Sequence, residues 1–151
     1  MDNRVVWFEI PVTDLDRATK FYSAVFEVEM SVMEHDGTKM AMFPFEQGVA
    51  SGGLIKAEGY KPADTGTRIY LNGGEDLSAP LSKIESSGGT VVKQKYSLGP
   101  NGFAAEFKDT EGNIVCLHSR KWCPDAHGKC VYQNKRQSSS FLGAGNFLCT
   151  D

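Results

Sequence analysis

The sequence contains no apolar run long enough to cross a bilayer, because its hydrophobic stretches are strand-sized and interrupted by charged residues. It also has no stripe of lysine and arginine, and its 151 residues carry a formal net charge of −3. These absences argue against membrane association and against nucleic acid as a partner. The amino-terminal residues lack the apolar core of a secretory signal, so we expect a cytoplasmic protein.

Cysteine is missing from most of the chain. The four cysteines all lie toward the carboxyl end, at Cys116, Cys123, Cys130 and Cys149. Cysteines confined to one end of a chain cannot cross-link a whole fold. Because no secretory signal precedes them, we expect them to be reduced thiols.

The first half of the chain has the pattern of one strand, one helix and three strands. A strand is predicted near residues 4–11, where β-branched and aromatic residues are frequent. Thr13 and Asp16 form a near-capping box, and apolar residues at three- and four-residue spacing predict a helix over about 14–26. Strands are predicted at 28–34, 39–43 and 53–56, and the Asp36-Gly37 turn joins the first two as a hairpin.

The same order returns after a polar connection at residues 57–66. A strand is predicted near 67–72, a helix is marked by Leu77, Leu81 and Ile84, and strands follow at 90–96, 103–108 and 113–118. Two such halves indicate a duplication. The predicted fold is therefore α+β, with paired βαβββ modules (4–56 and 67–119) forming a curved mixed sheet around a cleft suited to a small molecule.

Residues 121–151 differ in character from the rest of the chain. They are rich in serine, glycine, asparagine and lysine and show no sustained periodicity. We therefore predict one domain over residues 1–120 and an irregular carboxyl-terminal extension over 121–151, which is dispensable for the fold.

Three segments together resemble the vicinal oxygen chelate superfamily: residues 7–26, residues 52–60, and residues 102–119 with their DTEGN sequence. This superfamily includes glyoxalase I, fosfomycin-modifying enzymes, extradiol dioxygenases and bleomycin-binding proteins. The chain is most similar to the subgroup related to lactoylglutathione lyase. The resemblance implies a U-shaped cavity between paired βαβββ modules. It also implies a homodimer, because single-domain members often complete the cavity with a second chain.

The catalytic members hold a divalent metal through side chains on the first and last strands of each module. In this chain those positions fall on Trp7, Arg68, the Gly52-Gly53 pair and Cys116. Only Cys116 is a ligand type, and an arginine would repel a dication. We therefore expect no metal and no other cofactor, with a metal at a non-standard site as the alternative. Metal-assisted chemistry is correspondingly disfavoured.

The predicted first strand carries the one candidate catalytic residue. Strand alternation puts Trp7 and Glu9 on the same face, so both would face the cavity. Burial in a partly apolar cleft would raise the pKa of Glu9 and make it a general base near neutral pH. The alternative is that Glu9 forms a structural ion pair with Arg68 across the cavity.

The second half supplies the other candidate ligand-binding residues. Arg68 and Tyr70 share a face, where arginine would clamp an anion and tyrosine would form an aromatic wall, with Phe103 as a further wall. Cys116 and His118 also share a face. They are candidates for a nucleophile–base pair, or for a soft-metal site with residues 123–130, although the spacing matches no standard zinc pattern. For each set, ordinary packing is the alternative.

Two functions remain open at this point. The first is a metal-independent small-molecule-binding protein that sequesters an antibiotic-like or other toxic compound. It needs only shape, the aromatic residues Trp7, Tyr70 and Phe103, and a few charges. The second is a glyoxalase-type lyase or isomerase that uses Glu9 or a non-standard metal site. The sequence slightly favours the binding protein.

Overall fold

The computed structural model describes residues 4–46 and 49–119, and the extension predicted at 121–151 lies outside them. The elements, in chain order, are β1 (Trp7–Pro11), α1 (Leu15–Phe26), β2 (Ser31–His35), β3 (Thr38–Met42), β4 (Ser51–Lys56), β5 (Tyr70–Asn72), α2 (Ser78–Ser86), β6 (Thr90–Ser97), a 3-10 turn (Gly99–Asn101), β7 (Phe103–Lys108) and β8 (Ile114–Ser119). No helix in these residues is long and apolar enough to cross a membrane.

The strands form two four-stranded sheets of identical topology, in the orders β1-β4-β3-β2 and β5-β8-β7-β6. In each sheet the first strand pairs in parallel with the last strand of its module, and the other neighbours are antiparallel. Each half is therefore a βαβββ module, which confirms the predicted duplication and the α+β class. The sheets are separate, because in the described residues no ladder joins β1 to β5.

Helix α1 forms because its apolar residues recur at three- and four-residue spacing on one buried face: Leu15, Ala18, Phe21, Tyr22 and Val25. Asp14 caps the helix by accepting a hydrogen bond from the Arg17 N–H at 3.0 Å. The sequence pattern assigns Thr13 to that role, and this is wrong, because the Thr13 hydroxyl donates to Glu111 at 2.6 Å. After the helix, Glu27 adopts the left-handed conformation with φ of 55°.

A single hydrophobic core joins the two modules. Phe107 of the second module lies with its ring centroid 5.9 Å from that of Phe21 on α1 and 6.4 Å from that of Tyr22. A Cβ at Gly89, just after α2, would come within 2.7 Å of the Phe21 ring, so glycine permits this close approach. Burying a side chain such as Phe107 contributes about 2 kcal/mol. The modules therefore stabilise each other.

The turn between β7 and β8 of the second module docks on the start of α1 in the first. Glu111 on this turn accepts hydrogen bonds from the backbone N–H groups of Thr13 and Asp14, at 2.9 and 3.0 Å. The Asn113 Nδ2 donates to the Pro11 carbonyl at 2.9 Å. Amino-terminal N–H groups of a helix have no partners within the helix. The second module thus completes the cap of the first module's helix.

Each sheet has one face against the helices and one turned away from them, which we call its open face. On β8, Val115 and Leu117 belong to the core, so Cys116 and His118 point to the open face of the second sheet. On β1, Ile10 belongs to the core, so alternate residues of this strand point to the open face of the first sheet. Both assignments agree with the expected two-residue period.

Candidate functional site

The open face of the second sheet brings together two phenols, a carboxylate and a thiol. The strand register places Tyr70, Cys116 and Glu106 in one row across β5, β8 and β7. Tyr96 on β6 joins them, because its hydroxyl donates to the Glu106 Oε1 at 3.5 Å. We call these four residues the second-sheet cluster. It contains two residues predicted from the sequence and two that were not.

Tyr96 is a partly buried phenol of the second-sheet cluster. Burial raises its pKa, and its interactions with Tyr70, Glu106 and Cys116 raise it further, to about 12. The ammonium of Lys93 lies 3.8 Å from the Tyr96 ring centroid, in a cation–π contact. Tyr96 therefore stays protonated at neutral pH, where its hydroxyl can donate one hydrogen bond and its oxygen can accept others. The Lys93 ammonium packs against its ring.

Cys116 is the buried member of the second-sheet cluster, with 1% of its surface exposed. Burial raises the pKa of its thiol, and the negative charge of Glu106 raises it further. Hydrogen bonding with Tyr70 and the charge of Arg68 oppose these effects without outweighing them. Thiolates, not thiols, are nucleophiles and metal ligands. At neutral pH Cys116 is therefore a buried, protonated thiol, which favours the packing alternative over a nucleophile–base pair with His118.

His118 shares the open face with Cys116 but is engaged elsewhere. Its Nε2 lies 2.8 Å from the carbonyl oxygen of Asn101 in the 3-10 turn, which fixes the ring. Arg68 is exposed, two residues before Tyr70, and its charge reaches the Cys116 thiol. Arg68 and His118 therefore border the second-sheet cluster, on the β5 side and at the end of β8.

Phe103 lies on the opposite face of the second sheet. It packs against the hydrophobic core, and the Lys95 ammonium lies 5.0 Å from its ring centroid. The residues that alternate with it, Ala105 and Phe107, are core residues too. The expectation that Phe103 and Tyr70 form two walls of one cavity is therefore not met within this chain.

Trp7 and Glu9 lie on the open face of the first sheet, apart from the second-sheet cluster. Trp7 is 38% exposed. Glu9 is exposed as well, and it interacts with the phenol of Tyr60, whose pKa it raises by accepting a hydrogen bond and by its negative charge. In the described residues no ion pair joins Glu9 to Arg68, so the expected pairing is not formed. The burial that would make Glu9 a general base is not supplied by this chain alone.

A cavity of about 210 Å³ lies between the modules, where β1 faces the 57–66 connection and the start of β8. We call it the seam cavity. Its walls are mainly apolar, with Phe8, Ile69 and Ile114 among them. Glu9 and Lys61 supply its charged groups. Of the predicted site residues, only Glu9 lines it.

The positions where related enzymes bind a metal do not fit a metal in this chain. Trp7 and Arg68 have no suitable donor atom, and Cys116 is a buried, protonated thiol. A Cβ at Gly53 would lie 2.6 Å from the Ala41 carbonyl oxygen, so the backbone leaves no room for a ligand side chain there. Within residues 4–46 and 49–119, no three histidine, cysteine or acidic side chains converge as a metal site would need.

Comparison with known proteins identifies the family. Residues 4–44 match the family described as "Bleomycin resistance protein-like N-terminal". A "Glyoxylase-like domain-containing protein" from Didymella fabae is 30% identical over 129 residues, covering 80% of this chain and 96% of the relative. The chain belongs to the glyoxalase/bleomycin-resistance family. This family membership agrees with the resemblance carried by the sequence motifs.

Solved structures of other glyoxalase/bleomycin-resistance proteins share the fold of this family member. Glyoxalase I from Zea mays superimposes with a TM-score of 0.62 at 21% identity, covering 80% of this chain and 46% of the maize chain. A glyoxalase/bleomycin resistance protein from a Streptomyces species gives 0.59 at 22% identity, covering 76% and 99%. This chain thus spans about half the length of the maize enzyme. At these identities the likeness shows the fold alone.

Sequence reasoning missed Tyr96 and Glu106 in this family member. A signal for Glu106 was present, because it is the one acidic residue within the strand Phe103–Lys108 and has alanines before it. A single carboxylate with apolar residues on either side in a strand indicates a polar partner or a site. Tyr96 gave no comparable signal, because the bulges in β6 shift its register against β7.

Proposed function

We propose that this glyoxalase/bleomycin-resistance protein binds a small organic molecule on the open face of its second sheet, without a metal. The observation that carries the proposal is the convergence of Tyr70, Tyr96 and Glu106 on a face turned away from the core. Tyr70 remains 51% exposed, so an aromatic surface is available to a ligand. Aromatic walls with a few convergent polar groups are typical of small-molecule sites.

The chemistry of this face favours a planar ligand that carries a positive charge or hydrogen-bond donors. The Tyr70 ring offers a stacking surface, since one face of the Tyr96 ring is already covered by Lys93, and Glu106 is a half-buried acceptor for a donor or cation. Beneath these groups the buried Cys116 thiol is uncharged, so it adds no negative charge to the site. A role in sequestering an antibiotic-like or toxic compound follows if such a ligand is bound tightly and left unchanged.

The proposal is tested by titrating the metal-free protein with bleomycin and with the planar cation ethidium. Isothermal titration calorimetry gives the Kd, and thermal melting gives the stabilisation by bound ligand. We expect saturable binding of at least one probe. Glu106→Gln should weaken it by about 1–3 kcal/mol, because a ligand donor loses its charged acceptor.

Glu34→Gln is the matched control. Glu34 is an exposed carboxylate on β2, the edge strand of the first sheet, and it is paired with Lys39 at 3.2 Å. It should leave the Kd of the bound probe unchanged. The proposal fails if neither probe binds, or if Glu106→Gln and Glu34→Gln bind the probe equally well.

A second candidate function is a glyoxalase-type lyase or isomerase that uses Glu9 as its base. It is favoured by the relative from Didymella fabae, whose name describes a glyoxylase-like domain. The assay mixes the protein with methylglyoxal and glutathione and follows thioester formation by absorbance, with and without added Zn²⁺ or Ni²⁺. Turnover that is lost in Glu9→Gln would support this function over simple binding.

We also propose that the protein is a cytoplasmic homodimer. Open-face residues of the first sheet remain exposed in the single chain, including Trp7 at 38% and Met33 at 45%. A second chain covering them would remove this apolar surface from water. The free thiol of Cys116 suits a reducing compartment. Light scattering should give twice the chain mass of 16.5 kDa, and a mass of one chain would contradict the dimer.

A further inference from the structure

We propose that the seam cavity binds a small zwitterion with an apolar side chain, of the size and chemistry of a free aliphatic amino acid. This site is separate from the second-sheet cluster, and it does not depend on the function proposed above. The cavity volume of about 210 Å³ equals that of about seven water molecules. It is too small for a drug-sized ligand, which needs about 300 Å³ or more.

The charges that line the seam cavity are of opposite sign and belong to different segments. Glu9 comes from β1, and Lys61 comes from the 57–66 connection. In the described residues they form no ion pair with each other, and Lys61 forms none with any other residue. Glu9 accepts a hydrogen bond from the uncharged Tyr60 phenol, which leaves its negative charge without a cation among those residues. A ligand with one ammonium and one carboxylate would satisfy both, through charge-assisted hydrogen bonds.

The backbone of β1 adds a donor and an acceptor to the seam cavity. The Val6 carbonyl and the Val12 N–H, on either side of β1, are hydrogen-bonded to Ser51 and Ile55 of β4. The backbone N–H and C=O groups of the even-numbered residues along β1 therefore point toward β4. The N–H and C=O of Glu9 therefore point to the free edge, where the seam cavity lies. The neighbouring outward carbonyl, that of Pro11, is already used by Asn113. The Glu9 backbone is thus left to bind a ligand carboxylate or ammonium beside its own side chain.

The other residues that line the seam cavity are mainly apolar and favour an apolar side chain on the ligand. Phe8 and Ile10 come from the first module, and Ile69, Ile114 and Val115 come from the second. Thr65 and Thr67 add hydroxyl groups at the rim, where both residues are exposed. An aliphatic side chain would lie between the two modules, with its charged end toward Glu9 and Lys61. Binding would therefore hold the modules together at their seam.

The test uses L-leucine as the probe, with 4-methylpentanoate and isoamylamine as analogues that each lack one charge. Backbone amide shifts in ¹⁵N-labelled protein report binding, and the Glu9 amide should move saturably with leucine. Each analogue should bind at least about tenfold more weakly, because each loses a charge-assisted hydrogen bond. Glu9→Gln and Lys61→Gln should produce losses of the same order for leucine.

Glu34→Gln is again the matched control and should leave leucine binding unchanged. The analogue series uses the wild-type protein, so the test stands even if a variant fails to fold. The proposal is overturned if leucine at about 10 mM, ten times a millimolar Kd, leaves the Glu9 amide unmoved. It is also overturned if 4-methylpentanoate or isoamylamine binds as tightly as leucine. Neither result bears on bleomycin or ethidium binding at the second sheet.

Discussion

We expect Glu111 to stabilise the fold, because this carboxylate of the second module caps helix α1 of the first module. Its side chain has no exposed surface, and it accepts hydrogen bonds from two backbone N–H groups, from Thr13 and from the Arg17 Nε at 2.8 Å. Burial raises the pKa of Glu111, but its hydrogen bonds with Arg17, Thr13 and Asp14 outweigh burial and lower the pKa from 4.5 to about 2.

The lowered pKa of Glu111 indicates how much its ionised form stabilises the fold. At about 1.36 kcal/mol per pKa unit, the shift is equivalent to about 3 kcal/mol as an upper figure. The Arg17 side chain is 51% exposed, so solvent screens its interaction with Glu111. We therefore expect a stabilisation of about 2 kcal/mol. Glu111→Gln should therefore lower the free energy of unfolding at pH 7 by about 2 kcal/mol, and Tm by about 6–10 °C.

The pH dependence has a definite sign. A carboxyl with a lowered folded-state pKa contributes its full stability above the unfolded value near 4.5 and loses it as pH falls toward about 2. Urea unfolding at several pH values should therefore show wild type and Glu111→Gln converging between pH 5 and pH 2. Glu34→Gln, at an exposed ion pair, should change stability by less than about 0.5 kcal/mol. Parallel pH profiles for wild type and Glu111→Gln would refute the reasoning.

Two further predictions concern buried polar groups. Tyr22→Phe should cost about 1–3 kcal/mol in urea unfolding, because it removes the buried hydroxyl that donates to the Asp109 Oδ2 at 2.8 Å; an unchanged midpoint would contradict this. With Cys123, Cys130 and Cys149 replaced by serine, Cys116 should react with Ellman's reagent at least about 100-fold more slowly than a free thiol. Its rate–pH profile should have a midpoint above that of a free thiol, since burial raises the Cys116 pKa, and a midpoint below it would be inconsistent with the structure.

The sequence predicted the modules well because each signal for them is local. The three- and four-residue spacing in α1, the strand Phe103–Lys108 and the Asp-Gly hairpin all depend on neighbours in the chain. Asp36 and Gly37 both adopt positive φ, as a two-residue hairpin turn of this type requires. Module boundaries at 4–56 and 67–119, and the dispensable extension, stay predictions.

The candidate site was predicted less well because it depends on packing between distant segments. Alternation correctly paired Trp7 with Glu9 and Cys116 with His118, since period two is a property of one strand. Alternation also places Phe103 on the face of Ala105 and Phe107, opposite that of Glu106, so the strand pattern itself argued against Phe103 as a cavity wall. The missing Glu9–Arg68 ion pair depends on how the modules meet, which no local pattern encodes.

The cap that Glu111 provides to α1 has a consequence for synthesis on the ribosome. Asp14 and Glu111 are 97 positions apart, so the first helix emerges long before the group that completes its amino terminus. At about 5–20 residues per second, the nascent first module waits about 5–20 s for this partner. During that interval the surface of α1 that later contacts Phe107, with Phe21 and Tyr22, is exposed to solvent. Exposed apolar surface of this kind is what chaperones bind. Ribosome-stalled chains in which residues up to about 66 have left the exit tunnel should bind hydrophobic dyes, and chains that have also released Ser119 should not.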